Sequence, residues 1–134
     1  MKIYTACWHQ YKGAGRIGIS RGNPRGMAAG YRMYKTLAPT REILNECQEQ
    51  ADYRRRFFAE VLEPLDPQKV LKDLEDRSAD GRAVLMCFEK APLHDENWCH
   101  RTMVAEWIID KTGIPVEEWS GAKESNPGQS ALDV

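Results

Sequence analysis

An α/β fold is predicted, a small three-layer sandwich with a mainly parallel central sheet, on three observations. Arg82 to Phe88 is apolar beyond its first residue, as a strand buried on both faces of a parallel sheet must be. Apolar, β-prone segments alternate with segments whose apolar residues recur at helical spacing. Start and stop residues bracket the helical segments.

Each element has a local cause. Lys2 to Trp8 is apolar with Tyr and Thr and reads as a buried strand. Tyr11 to Gly15 carries two glycines and is a loop, and Arg16 to Ser20 is a second strand with Ile17 and Ile19 on one face. Arg21 to Gly26 is a basic, turn-rich loop holding Pro24. Met27 to Leu37 is ambiguous: Tyr31, Tyr34 and Leu37 have helical spacing, but Gly30 disfavours a helix. Thr40 is a predicted N-cap for a helix with apolar residues at Ile43, Leu44 and Cys47, where Cys47 is a small buried thiol. Tyr53, Phe57, Val61 and Leu62 form the next stripe, opposite the solvated Arg54 to Arg56, and Pro64 ends it. Asp66-Pro67 pairs an N-cap with proline at the first helical position, ahead of Val70, Leu71 and Leu74. Asp80-Gly81 turns the chain into Arg82 to Phe88. Arg101 to Thr112 is the last helix, stopped by Gly113 and Pro115, and Ile114 to Trp119 the last strand.

Residues 1–119 read as one domain, and 120–134, rich in Gly, Ser, Asn and charge, as a loosely ordered tail. Nineteen basic and 20 acidic residues give a net charge of −1, so no whole-chain attraction draws nucleic acid or an acidic membrane. No apolar run approaches the ~18 residues of a membrane span. The N-terminus lacks the apolar core of a signal peptide, so a cytoplasmic location is expected. There Cys7, Cys47, Cys87 and Cys99 would be thiols, since no CxxC pair is present.

The chemistry concentrates between Val84 and Arg101. Cys87-Phe88-Glu89 ends an apolar run; after nine intervening residues Cys99-His100-Arg101 opens a helix. In open parallel sheets, ligands bind beyond the carboxyl ends of the strands. Trp8 and His9, Ser20 and Arg21, and Cys87 and Glu89 all sit at such ends.

Leu85 to Glu89 followed by Cys99-His100-Arg101 resembles the signature of a bacterial family catalogued as domain of unknown function four-eight-eight, which includes the YeaO-like proteins. Ile17 to Arg21 with Pro24, and Leu37 to Thr40 with Tyr53-Arg54 and Phe57, are similar to further segments of it. The resemblance spans Met1 to Trp119, with a longer insert at Lys90 to Trp98, and implies a small α/β fold without supplying an activity.

Two functional readings stand side by side. In the first the protein is an enzyme acting on a phosphorylated or otherwise anionic substrate, a nucleotide or nucleic-acid end. Its catalytic set is Cys87 (nucleophile or redox thiol), Glu89 (acid or base) and Cys99. Arg21 and Arg101 form an anion clamp, with Ser20 and His100 beside the substrate. In the second the cluster is a structural network of a non-catalytic module that docks nucleic acid or a protein. Cys87 is then a small hydrophobe, Glu89 is salt-bridged to Arg101 or Arg21, and His100 is a packing or capping residue. His94, in the insert, is expected to be solvated. No cofactor is expected, and no zinc, because paired ligand spacing is missing. Gly13 to Arg16 does not match a phosphate-binding loop.

Overall fold

Strand β4 (Arg82–Cys87) is buried at every position and runs through the middle of the molecule. It belongs to a computed structural model that describes residues 1–89, 93 and 97–119. Five strands, β1 (Lys2–Cys7), β2 (Arg16–Gly18), β3 (Arg32–Met33), β4 and β5 (Val116–Glu118), form one parallel sheet in the order β3-β2-β4-β1-β5. The four strands expected from the sequence share this sheet, each ending a little earlier than expected. The fifth strand comes from the ambiguous stretch, which resolves into β3 and a 3-10 turn at Lys35–Leu37. Gly30 has φ 105° there, a conformation no helix continues through.

The helices are α1 (Arg41–Glu46), α2 (Gln50–Arg56), α3 (Pro67–Arg77) and α4 (His100–Thr112), and local chemistry marks the starts of α1 and α3 and the end of α4. Thr40 Oγ1 accepts from the Ile43 N–H at 3.1 Å, and an Asp66 carboxylate oxygen from the Gln68 N–H at 3.0 Å. Gly113, at φ 75°, closes α4. α2 continues as a π-helical segment over Phe57–Leu62, which the sequence stripe reads as plain helix.

The sheet's two faces are covered differently. Ile3, Ile17, Ala83 and Leu85 pack under Phe57, Leu74, Val104 and Trp107 of the helical layer. Ala6, Val84 and Met86 face the other way, under Trp8, Tyr11, Trp119 and Tyr31. The outer layer on that side is thus made of loop and strand-end aromatics. Right-handed crossovers explain the split. The chain steps one way from β1 to β2 to β3 through loops on the aromatic face. It steps back through β4 to β5 by helices on the opposite face. Buried Arg16 ties those loops down, donating to the Gly13, Ala28 and Ala29 carbonyls.

One consequence positions the site. β1 and β4 are neighbours, in register from Lys2↔Arg82 to Cys7↔Cys87, yet the chain leaves them toward opposite faces. A crevice at their carboxyl ends follows.

Among the described residues no helix is long and apolar enough to cross a membrane. The expected tail at 120–134, and most of the insert including His94, lie outside the described residues.

Candidate functional site

The crevice brings together two sulfurs far apart in sequence. Cys87 ends β4, and Cys99 is the N-cap residue of α4, whose first turn lies against that strand end. Cys87 and Cys99 are joined as a disulfide with 7.5 Å between their Cα atoms. The expectation of four thiols is therefore corrected. The 12-residue separation hides a contact created by packing the start of α4 against the end of β4. Cys7 and Cys47 are free and buried. Cys7 is the registered neighbour of Cys87; its thiol donates to the Phe88 carbonyl at 3.2 Å.

Arg101 is fully buried beneath this pair. Its Nε and Nη2 donate to the two carboxylate oxygens of Glu118 at 3.0 and 2.8 Å, a bidentate pair. Nη1 donates to the Glu89 carbonyl at 2.6 Å and to Cys87 Sγ at 3.2 Å. Thr5 Oγ1 also donates to Glu118, at 2.6 Å. Two expectations change. Arg101 is not an open anion clamp, because its charge is met inside the protein. Glu89 bonds Arg101 through its backbone, and no Glu89–Arg101 or Glu89–Arg21 ion pair exists among the described residues. Sequence reading missed Glu118: its carboxylate reaches Arg101 only because β5 lies beside β1.

His100 is buried, with Nε2 2.6 Å from the Ile19 carbonyl. A carbonyl only accepts, so Nε2 carries the proton and Nδ1 keeps its lone pair. Nδ1 lies 3.6 Å from Cys99 Sγ. Burial pushes the imidazole pKa down to about 4, against a partial opposing effect of the Ile19 bond, so the ring is neutral near pH 7.

A cleft of about 440 Å³ opens over these groups, lined by Cys87, Cys99 and His100 at its base and by Ser20, Arg21, Glu89, Tyr53 and Trp98 around it. The expected site residues Ser20, Arg21, Cys87, Glu89, Cys99 and His100 thus share one cavity, and Arg101 lies behind its wall. Arg21 Nε donates to the Pro39 carbonyl at 2.9 Å; the side chain makes no ion pair among the described residues, which leaves its charge available to the cleft. Ser20 Oγ donates to the Gly22 carbonyl and shapes the loop holding Arg21. The Glu89 carboxylate lies 3.9 Å from Cys87 Sγ. The sequence pattern assigns Tyr53 to the apolar stripe of its helix. It is buried and lines the cleft; burial pushes its phenol pKa up, with Glu89 and Cys47 adding to the effect.

The Arg54 to Arg56 run stays outside the site and is paired to carboxylates: Arg54 with Glu106, Arg55 with Asp52, Arg56 with Glu46 and Glu60.

Residues 3–112 match the family model DUF488-N3a, described as the active DUF488-N3 subclade. Comparisons with curated proteins and with solved structures found no match.

Proposed function

This chain belongs to DUF488-N3a, the active DUF488-N3 subclade, and from the geometry of its cleft we propose that it is an enzyme acting through Cys87 on a small anionic substrate held there. The carrying observation is the 3.2 Å approach of the buried Arg101 guanidinium to Cys87 Sγ at the cleft base. A neighbouring cation favours thiolate, while burial opposes it. The Glu118 pairing fixes the guanidinium in place.

The disulfide must first be opened. A dithiol reductant supplies two electrons and two protons, becomes a disulfide itself and leaves Cys87 and Cys99 as thiols. A reducing cytoplasm suits this state. The Cys87 thiolate then attacks an electrophilic centre of the substrate. The sulfur bond forms as the leaving-group bond breaks, and Glu89 serves as the acid that passes a proton to the leaving group. Water, deprotonated by Glu89, releases the product and returns the thiolate. Arg21 draws in the anionic part, as of a nucleotide or a nucleic-acid end. Ser20 and His100 shape the cleft around it.

One observation favours the alternative of a non-catalytic module docking nucleic acid or a protein: all three guanidinium nitrogens of Arg101 already donate internally. Protection separates the readings. In reduced, metal-free protein, nucleoside monophosphates should slow alkylation of Cys87 several-fold, and Arg21→Ala should abolish the protection. Absence of protection by any phosphorylated compound, single-stranded oligonucleotides with phosphorylated ends included, contradicts the anionic-substrate reading.

A further inference from the structure

We infer that the reduced protein binds one thiophilic divalent metal ion, zinc above all, through Cys87 Sγ, Cys99 Sγ and His100 Nδ1. The three ligand atoms lie within 4.8 Å of one another, and all three residues are buried. Zinc ligands at about 2.3 Å for sulfur and ~2.0 Å for nitrogen in tetrahedral array stand about 3.6 Å apart. The Cys99 Sγ to His100 Nδ1 distance is 3.6 Å. The Cys87 and Cys99 Cα atoms stand 7.5 Å apart, wider than the ~4.4–6.8 Å usual for a disulfide. Reduced sulfurs can therefore part to opposite corners of a shared ion without the backbone closing further.

His100 is prepared for this role. Its Nε2–H bond to the Ile19 carbonyl fixes the tautomer that leaves Nδ1 free. That is the outer contact metal-bound histidines characteristically make. Charge also balances. Two thiolates and a neutral imidazole neutralise a divalent cation, and Arg101 is already matched by Glu118. Arg101 Nη1 donates to Cys87 Sγ, a bond a metal-bound thiolate accepts as readily.

The three ligands leave a fourth position facing the cleft, where Glu89 stands near Cys87. Three protein ligands with an open corner are the pattern of zinc that works on substrate or water. The expectation of no zinc rested on the missing paired spacing, and this inference revises it: adjacent Cys99-His100 and distant Cys87 meet only through the fold. The inference stands apart from the nucleophile reading: while Cys87 ligates the ion, it is not free to attack.

Protein reduced with a phosphine is titrated anaerobically with Co²⁺ and then with Zn²⁺. One Co²⁺ per chain should bind, with tetrahedral d–d bands and a thiolate-to-cobalt charge-transfer band, and one Zn²⁺ should displace it. Cys99→Ser and His100→Gln should each weaken zinc binding at least ~10-fold; Cys47→Ser should leave it unchanged. In the unmodified protein, which does not depend on any variant folding, zinc should protect both Cys87 and Cys99 from alkylation, and a chelator should restore reactivity. Failure to bind at one equivalent, binding lost in Cys47→Ser, or an absence of protection overturns the site. Fast alkylation of Cys87 in metal-free protein tests the nucleophile reading separately, whichever way the metal result falls.

Discussion

Arg101 is the residue whose surroundings say most about its role. A guanidinium with no exposure survives only when its charge and nitrogens are met inside the protein, and Glu118, Glu89 and Cys87 meet all three nitrogens. Removing the charge of its partner while keeping its shape tests this. Glu118→Gln should cost about 3 kcal/mol in urea unfolding, because a buried charge loses its counter-ion. A cost near zero would mean that solvent already reaches the pair. Tyr34 and Tyr53 give a second test. Burial is the first cause raising both phenols, and the bond to Asp73 helps at Tyr34. With the folded pKa above the unfolded value of about 10, the folded state holds its protons longer. The stability they contribute is complete below about pH 10 and is lost as pH rises beyond it. Ultraviolet titration should show Tyr34 and Tyr53 ionising only as tertiary structure is lost, with Tyr34→Phe and Tyr53→Phe each flattening the alkaline limb.

The elements were legible in proportion to how local their causes are. Thr40, Asp66-Pro67 and Gly113 act within one helical turn, and the helices start and stop beside them. Thr40→Ala should accordingly cost about 1 kcal/mol. The π-helical turn at Phe57–Leu62 was not legible, because its pattern of apolar residues is compatible with an α-helix. Nor was β3, whose two residues pair only because β2 is there to receive them. Gly15 is a further case of long-range constraint. It has φ 79°, and a Cβ there would stand 2.3 Å from the Arg82 carbonyl oxygen, on β4 rather than on the strand it feeds. Gly15→Ala should therefore destabilise the protein clearly more than Gly113→Ala, which meets only the left-handed backbone cost of about 1 kcal/mol. Equal effects in thermal unfolding would show that the β2–β4 contact at Gly15 yields easily.

At the scale of the whole molecule, the sheet order decides what the site contains. The apolar strand at Arg82–Cys87 and the alternation of elements predicted a parallel sheet, and with it a crevice at the strand ends that gathers Ser20, Arg21, Cys87 and Glu89. What pairs with what inside that crevice depends on β5 lying beside β1 and on α4 packing its first turn on β4. Spacing along the chain does not encode these contacts, so the Arg101–Glu118 pair and the Cys87–Cys99 contact emerged only in three dimensions. The central claim, that this crevice is built for sulfur chemistry, is tested most directly by alkylation rates resolved for each cysteine by mass spectrometry, after reduction and chelation under native conditions. Cys87 or Cys99 should react faster than Cys47, and Arg101→Ala should slow the faster of them. Equal rates at every thiol, or indifference to the loss of Arg101, would contradict it and leave the cluster as structural packing.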